Sequence, residues 1–472
     1  MTKTMSWPSR VIYIAIALAL AIAVAGIAAV PSNTDADPGL TKWTKVTTPS
    51  ETNKTILQGS NLYDFAVGPD GDIIYAIGEV VADATHPNGI ALWKSTDGGA
   101  TWSDKTSKLL QAKVKLDLPA EFAVLNQVAV APDDEDFVIV AGTLTTGAPA
   151  VVGSNNGATS FYYTGALPAA VGATAKIVCM DVSRGVDSVY NVAVGTDDGF
   201  VCRYEAGKYW GAHWIDASAY TGWKASTAVT SVAFSPSWST DKTVVAISTD
   251  GAKTWLQSGM WGTHKGWGSG VERAGAVEFK VDTASLAPIA IFPGVSGMAL
   301  PSDYNGYEAS LRRVYAYVDT DDIAPNGGYL FRVDSTTLSI PCGPTGNPWL
   351  ASIAYYGTYE EGDTMLGGLA NGVANAAPNW PLSPTAFDCC AGVKVYRTPE
   401  IDICCPKWTA ATKPPSGQAY AIVAFTPDGK KAYATTQGEG LADESAFSVS
   451  LDKGKCWNQL GLIDTDIDYL SD

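Results

Sequence analysis

The sequence predicts an all-β repeat fold, built from short strands that double back at tight corners. Three observations carry that expectation. An octapeptide frame, S-x-D-x-G-x-x-W, recurs along the chain; apolar strands end repeatedly in Pro/Asp/Gly turns; and 47 Gly, 15 Trp and 21 Tyr stand against 3 His and 6 Met. A chain of 472 residues holds either several ordinary domains or one large repeat domain, and a recurring frame selects the second. The net charge of −17 excludes nucleic acid, whose phosphates need a basic surface, and disfavours anionic lipid.

From the N-terminus, Lys3 and Arg10 precede an unbroken apolar run over residues 11–30, which Pro31-Ser32-Asn33 ends. A run of that length borders between a signal peptide and a membrane anchor. Ala23-Val24-Ala25 and Gly26-Ile27-Ala28 each offer small residues for cleavage. A buried core helix would show a polar face, and none is present. Residues 1–30 are therefore read as a signal peptide or N-terminal membrane anchor, both meaning export; residues 31–40 as a polar linker; and residues 41–472 as one domain.

The frame is clearest at residues 95–102 and 450–457, where Ser95, Asp97, Gly99 and Trp102 match Ser450, Asp452, Gly454 and Trp457. A third copy has Ser248, Asp250 and Trp255, with Ala252 in the glycine place. Worn copies lie at 154–161, with Asn156 and Ala158, and at 203–210, with Glu205 and Gly207. The spacing has a physical cause. A short acid accepts hydrogen bonds from the N–H groups of its own turn, and the serine does so more weakly. Glycine supplies a positive φ, and the Trp ring fills space between sheets. Nothing in the frame performs chemistry.

These octapeptides resemble the Asp-box (BNR) motif of β-propellers found in sialidases, sortilin-type receptors, xyloglucan-degrading hydrolases and the photosystem II assembly factor. The resemblance implies a β-propeller with each box joining the third and fourth strands of a blade, away from the ligand face. Before the first box stand Tyr63-Asp64-Phe65-Ala66-Val67, a turn at Pro69-Asp70-Gly71-Asp72, and a second strand over 73–77. The order recurs at 128–133, 232–236 and 422–429, and more loosely at 176–214, 286–340 and 350–413. The count favours seven four-stranded antiparallel blades, with six or eight as alternatives. The copy at 248–255 follows a second strand rather than a third, so either that blade is irregular or the count is off by one. Trp43-Thr44-Lys45-Val46-Thr47 either completes the last blade, joining the chain ends, or is a lead-in strand.

Eight cysteines suit an oxidising compartment. Adjacent side chains diverge on a strand, so the doublets Cys389-Cys390 and Cys404-Cys405 are poor chelators. They are read as disulfide partners across a loop, with free buried thiols as the alternative.

Propeller ligands bind where loops converge at a mouth of the channel, and residues 258–274, 293–312 and 358–393 exceed a normal hairpin. Between Trp210 and Trp267 lie seven of the fifteen tryptophans. Trp214, Trp223, Trp261 and Trp267 are candidates for stacking on sugars or for a protein interface, core packing being the alternative. Sialidase activity, in the family the boxes resemble, needs three arginines on a carboxylate and an Arg-Ile-Pro motif. That motif is absent, and nothing places Arg273, Arg312, Arg313 and Arg397 together. The reading leans against catalysis, although 48 acids leave a two-carboxylate glycosidase open. His86, His213 and His264 read as solvated loop residues. No cofactor is expected; Asp319, Asp321 and Asp322 are the candidates for calcium, and the acidic end at 464–472 lacks the glycine of a calcium loop. Asn53-Lys54-Thr55 is a single sequon. The sequence thus points to an exported cell-surface propeller with a non-catalytic binding or structural role. Its partners would be protein or glycan, self-assembly is included, and contact with membrane is made only through the N-terminal segment. The alternatives are an extracellular glycan-active hydrolase and an assembly-factor or receptor-like propeller.

Overall fold

The computed structural model describes residues 60–115, 118–206, 210, 213–263, 265–268, 275–280, 296–319, 328–340, 344, 350–369, 395–403, 406–416, 421–436 and 445–462. They lie in the compact unit Pro49–Asp472. The leader, the linker, the segment 43–47 and the sequon fall outside the described residues.

Seven sheets follow one another along the chain, at 61–104, 122–163, 177–216, 228–278, 296–339, 350–410 and 421–462. Strands pair antiparallel in chain order within each sheet, and first strands pack against first strands around a ring in which blade 7 returns to blade 1. This is a seven-blade β-propeller, nearly all β. Among the described residues, the four strands of blade 7 come from 421–462. Blade 4 carries one extra piece, Val277–Glu278, beside its fourth strand Gly266–Trp267. A helix over Thr106–Lys115 (α1), which the strand pattern did not announce, connects blades 1 and 2.

The apolar content is spent on seams rather than on one centre. Seven hydrophobic clusters each draw residues from two neighbouring blades. A middle strand is therefore covered on both faces and needs no polar alternation: Thr243–Thr249 and Ala432–Thr436 are buried throughout. Fourth strands are short, only two residues at Ser103–Asp104, Tyr162–Tyr163, Ile215–Asp216 and Thr409–Ala410. Short edges offer little template for pairing with another chain.

The corner turns explain the recurring octapeptide. Ser95 Oγ donates to Asp97 Oδ1 (2.8 Å) and accepts from Gly99 N (2.8 Å), while Asp97 Oδ1 accepts from Thr101 N (2.8 Å). Ser450 and Asp452 repeat the pattern with Gly454 N and Cys456 N, and Ser154 and Asn156 repeat it with Ala158 N and Ser160 N. All three turns join third and fourth strands. The fifth position sits at positive φ in each, 90° at Gly99, 83° at Gly454 and 63° at Ala158. The alanine thus occupies a conformation that its Cβ disfavours.

Two copies of the frame are something else. Residues 248–255 join the second and third strands of blade 4. Ser248 Oγ accepts from Gln257 Nε2 (2.7 Å), and Thr249 Oγ1 takes the turn N–H of Gly251 (3.1 Å). The register is displaced by one residue, and Trp255 belongs to a strand rather than following the corner. Likewise Arg203 and Glu205 lie within the strand Val201–Ala206, where they form an ion pair.

The seam between blades 7 and 1 is closed by aromatic edges. Phe447 meets Phe65 at 5.5 Å and Trp102 at 5.2 Å, and Trp102 is only 2 % exposed. Replacing Trp102 by Ala is expected to cost about 3–5 kcal/mol of unfolding free energy. Replacing Asp97 by Ala removes only hydrogen bonds at an exposed corner and is expected to cost about 1 kcal/mol. Urea midpoints measure both, and the reverse ranking would refute the packing role given to Trp102.

Candidate functional site

The first strand of each blade enters the channel from one face and leaves at a turn on the other, the face that also carries the stapled corners. A cavity of about 220 Å³ lies at the entering ends, lined by residues of all seven blades. Its residues run from the entry to the middle of the first strands: Ser296 opens Ser296–Ala299 and Ile422 is second in Ala421–Phe425, while Tyr63 and Asp64 in Asn61–Val67 and Thr230 and Ser231 in Ala228–Phe234 lie near the centre. The cavity thus opens toward the mouth opposite the stapled corners.

Polar side chains here tie one blade to the next. Asp64 accepts from Val128 N of blade 2 (2.9 Å), Asn126 donates to Ile177 O of blade 3 (3.1 Å), and Asp181 accepts from Phe234 N of blade 4 (2.7 Å). Ser296 donates to Thr230 across seam 4–5, and Tyr317 donates to Ala351 O across seam 5–6. Ser352 spans seam 6–7, donating to Ala421 O (2.9 Å) and accepting from Val423 N (2.9 Å). Ser445 Oγ accepts from Leu62 N (3.4 Å) to close seam 7–1. Every seam therefore has a stitch. Register shifts in the first strands, between Leu62 and Asp64, Leu125 and Gln127, Val229 and Ser231, and Leu350 and Ser352, mark the bulges beside these residues. A bulge re-aims side chains next to a site.

Two carboxyl groups are perturbed. Burial pushes Asp64 up to about 7 against the opposing pull of the Val128 and Phe65 N–H groups. Burial likewise pushes Asp181 up to about 6, against Phe234 and Val182 N–H. Among the described residues lining the cavity, Asp64 is the one carboxylate and Lys176 the one cation. Burial also pushes the Cys179 thiol, on the same wall, far above its ordinary value, so it is an inert packing group.

The residues marked out by sequence lie elsewhere. Trp214, Trp261 and Trp267 are 7 %, 2 % and 1 % exposed, buried in seams. Trp214 Nε1 donates to Thr164 Oγ1 (3.1 Å), Trp267 Nε1 donates to Ala217 O (2.7 Å), and the half-buried Trp223 stands edge-on to Trp267 at 4.6 Å. They are seam packing, and the expectation of rings displayed to a sugar is corrected for the three buried ones. His86 is also corrected: it is 2 % exposed, with its ring nitrogens on Asp83 (3.1 Å) and Asp104 (2.9 Å). Arg312 bonds to Gly306 O and Tyr307 O, and Arg313 to Asp334 and Asp402, so neither reaches the channel. Cys389, Cys390, Cys404, Cys405, Asp321, Asp322, the side chain of Asp319, and Arg273 lie outside the described residues, as does the acidic end. Among the described residues no cluster of His, Cys, Asp and Glu could hold a metal ion, and no helix is long and apolar enough to cross a membrane.

No protein-family model matches the chain, and no curated protein matches it. Among solved structures it is similar to a GH74 xyloglucanase from Xanthomonas campestris, at TM-score 0.40 and 15 % identity, covering 86 % of this chain and 46 % of that one. It is similar to a GH74 enzyme from Niastella koreensis at TM-score 0.39 and 13 % identity, covering 86 % and 66 %. The β-propeller domain of Cps50 (Swd1) from Myceliophteria thermophila is similar at TM-score 0.47 and 10 % identity, covering 85 % and 99 %. The chain thus spans 46 % and 66 % of the lengths of the two GH74 structures.

The Asp64 perturbation predicts a pH dependence. The unfolded chain releases this proton near the ordinary aspartate value, roughly 3.9, whereas the folded chain holds it up to about 7. Between those values the native state binds the extra proton, so its stability falls as pH rises, by roughly 1.4 kcal/mol per unit at most. Asp64→Asn is expected to flatten the slope of melting temperature against pH most clearly between about 6 and 7, above the range in which Asp181 adds its own contribution. An unchanged slope in the variant would contradict the assignment.

Proposed function

We infer that the chain is an exported, cell-surface propeller of the Asp-box type that binds or scaffolds without catalysing. Export is supported by the apolar run at 11–30 behind Lys3 and Arg10. The Asp-box assignment is supported by the three stapled corners joining third and fourth strands. The absence of catalysis is supported by one observation above the rest. The channel-mouth cavity contains a single carboxyl group, Asp64, among the described residues. Glycoside hydrolysis by the usual route needs two facing carboxyl groups, roughly 5–9.5 Å apart, one of them free to give a proton to the leaving group.

The mouth opposite the boxes is the binding end, with protein or glycan as the surface partner, and no cofactor is required. The test is a panel of polysaccharides, xyloglucan and sialosides included, incubated with purified protein and read for new reducing ends and free sialic acid. No release is expected. Turnover that Asp64→Asn abolishes would replace this reading by the hydrolase one. Surface biotinylation of intact cells is expected to label the chain, and labelling only after lysis would overturn export.

A further inference from the structure

The cavity's charges are separated. Asp64 belongs to blade 1 and Lys176 to the entry of blade 3, with Asn126 and Gln127 of blade 2 between them. Lys176 is half-buried, and its ammonium has no hydrogen bond or ion pair among the described residues, although its backbone N–H is held by Asp197 (2.7 Å). Ser231, from blade 4, adds a hydroxyl on the Lys176 side. On the other side Gln127 Nε2 donates to Asn126 O (2.9 Å), which leaves its Oε1 as an acceptor, and each Asp64 oxygen keeps a lone pair beyond its backbone bond. Ile177, Met180, Val232 and Ile422 supply apolar wall.

One end thus offers donors and positive charge, the other acceptors and, above about pH 7, negative charge. A half-buried unpaired ammonium costs free energy that an anionic group on a ligand would recover. A purely anionic ligand would meet the field of a chain at −17, and a purely cationic one would meet Lys176. A molecule carrying both charges and no net charge avoids both penalties. The space is small, equal to about seven waters at roughly 30 Å³ each.

The geometry points to a binding site for a small zwitterion, of the class of free α-amino acids, with its carboxylate on Lys176 and Ser231 and its ammonium toward Gln127 and Asp64. This rests on the non-catalytic reading of the same mouth and names its ligand class.

The test is isothermal titration of the purified protein with the common amino acids at millimolar concentration. Each is paired with its amide, which lacks the carboxylate, and with its deaminated acid, which lacks the ammonium. At least one amino acid is expected to bind about tenfold more tightly than either partner. Lys176→Met is expected to weaken the amino acid about tenfold while leaving its amide unchanged, and Lys176→Arg to restore binding. Absence of binding across the series, equal binding of the amino acid, its amide and its deaminated acid, or indifference to Lys176→Met would each overturn the assignment. The ligand comparison on the unaltered protein decides the matter even where a variant folds poorly. None of these outcomes depends on glycan turnover, so failure of the zwitterion site and failure of the non-catalytic reading stay distinguishable.

Discussion

Each sheet of this protein is apolar on both faces, and the rest of the structure depends on covering both. A single blade would leave strands such as Ala432–Thr436 open to water; two blades would cover one face of each. Only a closed ring covers all of them, which is why the seven hydrophobic clusters coincide with the seven seams. At about 25 cal/mol per Å² of apolar surface, the driving force is large but lacks direction. The hydrogen bonds near the channel supply the direction, because a buried N–H such as Val128 or Phe234 is satisfied only when the neighbouring carboxylate stands opposite it.

The boxes face the other end of the ring and act there in the same manner. Tyr433 reaches from blade 7 to Gly71 O (3.0 Å), Tyr75 from blade 1 to Glu135 O (2.9 Å), and Tyr315 from blade 5 to Asp402. Gly99 belongs to this interlock for a second reason besides its φ. A Cβ there would stand 2.6 Å from the Phe447 ring of blade 7. The corner is thus both a turn and a seat for the adjacent blade, which accounts for glycine recurring where Ala158 shows that glycine is not obligatory for the turn alone.

Much of the fold was legible because its determinants are local. Asp97, Gly99 and Trp102 act within one turn and its next strand, so their spacing survives in the sequence. The same locality misled at Ser248 and Asp250, where a hairpin of different register carries the same letters; only strand pairing separates the two. The candidate site was poorly legible because it is assembled from one or two residues of each blade. Asp64 and Asp181 carried a signal that composition and motif did not weigh, an acid inside an otherwise apolar first strand. Their partners, Val128 N and Phe234 N, are backbone groups with no letter of their own. The tryptophans between 210 and 267 left display and core packing both open for the opposite reason, since a dense aromatic run can serve either until the neighbouring blade is placed against it.

The channel mouth inherits its chemistry from the stitching. Hydroxyls and amides that close seams, such as Tyr317 and Asn126, have spent donors on the backbone of the next blade, so they wall the cavity without being free to turn toward a ligand. What remains for recognition is the set that ring closure leaves over, and it is held in place by groups that closure has fixed. A ligand at the proposed site would therefore meet a preorganised wall and cost little ordering on binding. Asp64 is the exception that joins the two roles, for it fastens blade 2 and also faces the cavity. Any charge placed beside it would act on the seam as well, so occupancy of the proposed site and tightness of the ring between blades 1 and 2 would be thermodynamically linked.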